Sequence, residues 1–382
     1  MDNRDFLVTD RIPLPDGPPT VHVDVTREDR YRIDVVPDVD AAIAALLTEL
    51  AGRSAVVITD HVVAELHSGP IVDALGERGQ FLGTTSIPSG EKSKTATTAF
   101  ELMDWLAQIG FARRDVVIAL GGGVIADTVG WVASAYMRGV PYVNMPTTLL
   151  AQVDAGIGGK VAVDHSQAKN LVGAFYQPRA VISCLEYLRT LDRRQARAGL
   201  AEVVKKAVIA SPALFEHIEN HAEDLVECRS PAVDVLVHAA SAIKTELVGR
   251  DPYEVDLRRP LNFGHTIGHA VETVTDYGPV LHGEAVAFGM AVAVDVARSR
   301  GVVDPATADR VIALIRRLGL PVSLADLGVE VDVDDVLGAL GKIRQIRDGN
   351  LRFVLPVELG TTAIVEDVTS AEVREALTRE RP

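Results

Sequence analysis

The sequence predicts an α/β fold in which a Rossmann-like, parallel-sheet domain over residues 1–180 precedes a mostly helical domain over residues 181–382. Three observations carry this. Short apolar, β-branched runs alternate with helical periodicity in the first half. One of these runs enters a triple glycine, Gly121-Gly122-Gly123, and then a second helical stretch. From about residue 180 to about residue 325 strand signals thin out and long helical stretches take over. A chain of 382 residues exceeds the usual single core, so two domains are expected, with one large layered domain as the alternative.

After a Pro-rich arm, residues 31–36 read as a strand and residues 39–50 as a helix with Ala and Leu at helical spacing. Ala55-Val56-Val57-Ile58-Thr59-Asp60 is a buried apolar run of the kind found in parallel sheets. Asp60, at its carboxyl end, is a candidate for binding a ribose hydroxyl and equally a candidate helix N-cap. Residues 95–110 form an expected amphipathic helix, and residues 115–120 a strand leading into Gly121-Gly122-Gly123-Val124-Ile125-Ala126-Asp127. Glycines at a strand-to-helix junction permit close approach of a pyrophosphate, whose charge a helix N-terminus favours. The spacing is not G-x-G-x-x-G, so a plain tight turn is the competing interpretation. Residues 142–145 form a further strand reaching Pro146-Thr147-Thr148, while residues 351–356 and 362–365 suggest a hairpin before a helix starting at Ser370.

Apolar residues at 47% and charged residues at 24% are those of a soluble globular chain and exclude disordered and fibrous classes. A net charge of −15 argues against nucleic acid as a partner, and any bound phosphate needs a local basic pocket. Cys184 and Cys228 are too few for a disulfide framework, which suits a reducing cytoplasm. Residues 1–19 lack the basic-then-apolar order of a signal peptide, and no apolar run reaches the length of a membrane span. A cytoplasmic protein away from membranes is expected.

The helical half holds Asn262-Phe263-Gly264-His265-Thr266-Ile267-Gly268-His269 and then Leu281-His282-Gly283-Glu284. His265 and His269 are four apart and share a helix face, and His282 can reach the same place from a nearby turn. Glu202, in Gly199-Leu200-Ala201-Glu202-Val203-Val204-Lys205, adds a carboxylate. One carboxylate and two imidazoles leave an open position on a divalent ion such as zinc or cobalt, the mark of a catalytic site. Isolated histidines are usually solvated, but three of the ten fall within eighteen residues here. A basic set also stands out in this acidic chain: Lys160, Lys169, Lys205, Lys244 and Arg258, with Arg138 upstream. Taken singly, each lysine reads as surface solvation. Lys160 and Lys169, near Gly156-Ile157-Gly158-Gly159 and just before Asn170, are candidates for holding phosphate.

Together these stretches resemble the dehydroquinate synthase family of sugar phosphate cyclases. The resemblance runs from about residue 55 to 365 through the triple glycine with Asp127, the segment from Pro146 to Asp154, Gly158-Gly159-Lys160, Lys169 to Pro178, Gly199 to Lys205, Asn262 to His269, and His282-Gly283-Glu284. It implies Glu202, His265 and His282 as ligands of a zinc or cobalt ion, with His269 left for substrate. It further implies NAD contacts from Asp60, Glu91, Lys94, Gly122, Gly123, Asp127, Thr147, Thr148, Lys160, Lys169 and Thr190. Asp154, Lys160, Asn170, Lys205, Lys244, Arg258, Asn262 and His269 would line a substrate pocket, with Arg138 entering from the partner subunit of a homodimer. The implied chemistry is transient oxidation of a secondary alcohol by NAD, elimination of phosphate, re-reduction, ring opening and an intramolecular aldol closure.

The chain departs from that pattern at two places. The family's Asp-Lys-Lys motif is replaced by Ile343-Arg344-Gln345 when aligned on Gly349-Asn350-Leu351-Arg352, and its usual Asn by Asp164. A pocket that has lost these lysines suits a substrate without a carboxylate. The expected substrate is therefore the seven-carbon sugar sedoheptulose 7-phosphate, cyclised to a valiolone-type product such as 2-epi-valiolone. Lys244, Arg258, Asn262 and His269 keep the dehydroquinate-type identities, so 3-dehydroquinate synthase is the alternative. Metal-dependent alcohol or glycerol dehydrogenases, which release NADH, are a further alternative of a different class.

Overall fold

A computed structural model describes residues 29–165, 168–254, 259–346 and 351–381, without the side chains at 168, 259 and 343–346. Along the chain β1 (Arg32–Val36), α1 (Val39–Leu50), β2 (Ala55–Asp60), α2 (His61–Glu77), β3 (Phe81–Ile87), α3 (Ala96–Gln108), β4 (Val116–Gly121), α4 (Gly123–Ala135) and β5 (Tyr142–Pro146) alternate. A hairpin of β6 (Lys160–His165) and β7 (Ala168–Phe175) follows, then β8 (Ala180–Cys184). The rest is helical: α5 (Arg193–Ala210), α6 (Pro212–Asn220), α7 (Ala222–Val226), α8 (Ala232–Arg250), α9 (His265–Val274), α10 (His282–Ser299), α11 (Pro305–Arg317) and α12 (Val333–Ile346). The hairpin β9 (Phe353–Glu358) and β10 (Thr361–Val365) and helix α13 (Ser370–Thr378) close the chain.

Six strands make one parallel sheet in the order β1-β8-β5-β4-β2-β3. From β2 the chain moves outward to β3, whereas from β4 it moves the other way to β5. The connections leaving β2 and β4 therefore part to opposite sides and open a crevice at the carboxyl ends of these strands. Asp60 ends β2 and Gly121 ends β4, so the sheet order itself brings Asp60 and the triple glycine to one crevice.

Alternation along the central strands feeds two layers. Val57, Ile118, Leu120 and Val143 pack with Leu46, Leu50, Ile71 and Leu75 of α1 and α2. Val56, Ile58, Val117 and Ala119 pack with Leu102, Leu106, Val129 and Val132 of α3 and α4. Strands covered on both faces must be apolar throughout, which is why β2 and β4 read as unbroken runs. The helices start where the sequence supplies a cap: Asp38, Asp60, Thr95, Asp192, Ser211, Asp304 and Thr369 each accept a backbone N–H of the following first turn.

The structure adds strands that periodicity does not mark. β8 carries the sheet on to Cys184, past the point near residue 180 where the sequence pattern turns helical, and it lies between β1 and β5. β3 is an edge strand, half-exposed and rich in hydroxyls. β6 and β7 pair with each other outside the main sheet, and Asp164 of β6 also bridges to Thr95. The hairpin expected near the end is present as β9 and β10. Among the described residues no helix is long and apolar enough to cross a membrane.

Candidate active site

Helices α5, α9 and α10 meet in the helical core and bring together residues far apart in sequence. Glu202 lies on α5, and His265 and His282 are the first residues of α9 and α10. Close contact between α10 and α5 depends on Gly283, whose Cβ, if present, would lie 1.9 Å from the Ala198 carbonyl oxygen. One ligand atom from each of Glu202, His265 and His282 falls within 4.8 Å of the others. The Nε2 atoms of His265 and His282 are 3.5 and 3.7 Å from the same Glu202 oxygen, Oε1. Each Nδ1 faces away to an acceptor: His265 to the Phe263 carbonyl at 3.2 Å, His282 to the Glu272 carboxylate at 3.2 Å. This arrangement fixes which ring nitrogen is presented to an ion.

Glu202 is fully buried and forms an ion pair with Lys205, yet neither carboxylate oxygen receives a hydrogen bond of normal geometry. Buried carboxylates are costly unless satisfied, so a Glu/His/His donor set around two such oxygens fits a divalent ion. Burial works against the charge on Glu202, but Lys205, His265 and His282 hold its carboxyl well below the usual range. His265 is kept neutral by burial and by Lys205. Burial also opposes charge on His282, but Glu272 and Glu202 raise it to about 10, so an ion taking Nε2 would displace a proton from that ring.

A second cluster sits around Asp154 in the short π-helical turn Ala151–Ala155. Lys206 and Lys244 approach Asp154 Oδ1 at 2.8 and 3.0 Å, and Lys244 also donates to the Asp154 carbonyl at 2.6 Å. Burial raises the Asp154 carboxyl, yet Lys206, Lys244 and Lys205 together pull it well below its ordinary range. Burial in turn lowers Lys244 to about 8, despite Asp154. An ammonium this close to neutrality is suited to exchanging a proton.

On the sheet side, Lys94 is buried and bonds Asp127 at 2.6 Å and also the Asn170 side-chain oxygen. Asn170 has a left-handed backbone, φ 55°, which Asn tolerates, and its N–H donates to Asp164 at 2.8 Å. Asp164 thus ties β6 to β7. Lys169 reaches Glu91 at 2.9 Å and Glu272 at 3.1 Å. At the β4–α4 junction a Cβ on Gly122 would meet Thr148 Cγ2 at 3.1 Å, and the buried Thr147 Oγ1 has no hydrogen-bond partner. A helix N-terminus, close backbone and an orphaned hydroxyl fit a dinucleotide phosphate.

Several residues expected at the site are occupied otherwise. Asp60 acts as the helix cap, its Oδ1 accepting from Val62 N, Val63 N and Ser89 Oγ. Thr190 bonds His67 at 2.9 Å beside Tyr187 and Arg189. Lys160 and Lys169, read as one phosphate cluster, are separated: Lys160 pairs with Phe175 at the open end of the hairpin, and Lys169 lies next to its turn. At about 3.3 Å per residue the two positions are on the order of 15 Å apart. Lys160 instead forms an ion pair with Glu254, which also accepts from Asn262 at 3.3 Å. His269 joins the centre, its ring 5.3 Å from that of His265. Arg138 is exposed in a turn with φ 64°. Arg258 lies outside the described residues.

Three site residues carried no expectation. Lys206 directly follows Lys205 and falls one turn after Glu202, a helical spacing that marks it in retrospect. Glu272 follows His269 by three residues and has the same signature. Glu254 has none, because its contact with Lys160 joins distant parts of the chain.

Residues 84–198 match the family described as 3-dehydroquinate synthase N-terminal, and residues 199–343 the family described as 3-dehydroquinate synthase C-terminal. The chain is similar to a 2-epi-valiolone synthase of Actinosynnema mirum, 75% identical over 376 residues and 98% of each chain. It is 38% identical to a 3-dehydroquinate synthase of Desulforamulus reducens over 94% of this chain and 99% of that one. Among solved structures it is similar to a 2-epi-5-epi-valiolone synthase of Streptomyces hygroscopicus subsp. jinggangensis with NAD+ and Zn2+ bound, with a TM-score of 0.85, 33% identity, and coverage of 93% of this chain and 98% of that one.

Proposed function

The chain belongs to the 3-dehydroquinate synthase family, and from that premise we propose that it is a sugar phosphate cyclase converting sedoheptulose 7-phosphate to a valiolone-type cyclitol with loss of phosphate. The observation that carries this reading is the joining of the Glu202–His265–His282 cluster to the buried lysines around Asp154. The 75% identity to a 2-epi-valiolone synthase points to the product class.

Glu202, His265 and His282 would hold zinc or cobalt, and Gly122, Gly123, Thr147, Asp127 and Lys94 would hold NAD. When bound, these groups supply Lewis acidity and reversible hydride acceptance. The chain supplies positioning and charge. Lys244 and Lys205 stand by to stabilise oxyanions on the sugar, and Asp154 orients hydroxyls. Lys160 and Asn262 can offer an ammonium and an amide to phosphate once Glu254 releases them. We read the enzyme as a cytoplasmic homodimer. The exposed Arg138 and its neighbour Met137, 44% exposed, suit burial against a second copy, and the two free cysteines suit a reducing compartment.

A 3-dehydroquinate synthase is the second reading, favoured by the dehydroquinate-type identities of Lys244, Asn262 and His269. The Ile343-Arg344-Gln345 replacement weighs against it from sequence; those side chains lie outside the described residues. A dehydrogenase is separated by following phosphate and nicotinamide absorbance together, with sedoheptulose 7-phosphate, NAD+ and Zn2+. A cyclase releases phosphate over many turnovers with no net NADH. NADH accumulating without phosphate would overturn the reading.

A further inference from the structure

Glu272, on α9, is only 2% exposed, and its carboxylate faces two elements at once. On one side both oxygens lie within 3.3 Å of His282 Nδ1, behind the nitrogen that His282 presents to Glu202. On the other, Oε1 accepts from Lys169 Nζ at 3.1 Å. Lys169 belongs to the β6–β7 hairpin, 103 residues away in sequence, and its ammonium also pairs with Glu91 at 2.9 Å. Glu202, His282, Glu272, Lys169 and Glu91 thus form one continuous chain of charged contacts from the helical core to the cofactor side.

We propose that Glu272 is a positioning residue that ties the metal ligand His282 to Lys169, so that metal and NAD+ strengthen each other's binding; this rests on the metal and cofactor sites proposed above. A buried carboxylate is satisfied only when its partners are in place. An ion on the Nε2 side of His282 fixes that ring, which fixes the Glu272 carboxylate and so the position of Lys169. NAD+ engaging the Lys169–Glu91 side acts in reverse, because a coupling free energy between two sites is reciprocal. Were Glu272 only a packing residue, its loss would lower stability and leave the two affinities independent.

The test uses the full-length protein stripped of metal, with Co2+ as the metal probe, read by its absorption spectrum and by chelator competition, and NAD+ binding read by calorimetry. In the wild type each ligand tightens the other by about fivefold or more. In E272Q the shape is kept, but the negative charge is lost and one oxygen alone is left to accept from both His282 and Lys169. Cobalt affinity falls about 10- to 100-fold, and the mutual tightening drops to within about twofold. K169M leaves the Glu272–His282 contact intact, so it loses the coupling while keeping most of the cobalt affinity, and it decides the matter if E272Q fails to fold. Coupling retained in K169M, or wild-type cobalt affinity in E272Q, overturns the proposal. A wild type that binds no cobalt overturns the metal site itself and this inference with it.

Discussion

Gly283 and Ala198 approach so closely that a Cβ on Gly283 would sit 1.9 Å from the Ala198 carbonyl oxygen. This contact seats the first turn of α10 on α5, with His282 one residue before it and Glu202 four residues after Ala198. The proposed metal centre therefore depends on a residue with no chemistry of its own. G283A forces the two helices apart, and overpacking of this kind costs about 1–3 kcal/mol. Urea unfolding is expected to give a lower midpoint, and the stabilisation gained on adding zinc is expected to shrink. An unchanged zinc effect would separate the helix contact from the site.

Glu202 is the shared partner of His265, His282 and Lys205. E202Q leaves Lys205 buried without its counter-ion, and breaking a buried pair in this way costs about 3–5 kcal/mol. Thermal melts should show a lower Tm for metal-free E202Q and no rise with zinc, where the wild type rises. A zinc-dependent rise in E202Q would place the ion elsewhere.

Lys244 sets a pH dependence whose sign is fixed by its depressed pKa of about 8. Between about pH 8 and the ordinary lysine value near 10.4, the unfolded chain holds this proton and the folded chain does not, so stability rises with pH. The destabilising contribution is present in full below about pH 8 and is relieved above it. K244M removes that contribution. Its stability relative to wild type should be highest near neutral pH and decline toward pH 10 in denaturant titrations. A difference independent of pH would mean that Lys244 is not depressed.

Much of the fold was legible because burial on both faces imposes a simple pattern. The runs of β2 and β4 read as covered parallel strands, and the Ala and Leu spacing over residues 39–50 marked α1. The histidine cluster was legible because His265 and His269 share helical spacing, and the choice of His282 over His269 as a proposed ligand rested on resemblance. What failed to show was whatever depends on tertiary approach. Lys160 and Lys169 looked like one cluster until the hairpin register set them at opposite ends. Glu272 and Lys169 meet across 103 residues, and no local pattern encodes that meeting.

The measurement that tests the central claim most directly is phosphate release by the purified protein with NAD+ and Zn2+ or Co2+, offering sedoheptulose 7-phosphate and 3-deoxy-arabino-heptulosonate 7-phosphate in parallel. The account predicts sustained release from the first sugar and little from the second. Release from the second alone would make the protein a 3-dehydroquinate synthase, and release from neither would contradict the cyclase reading itself.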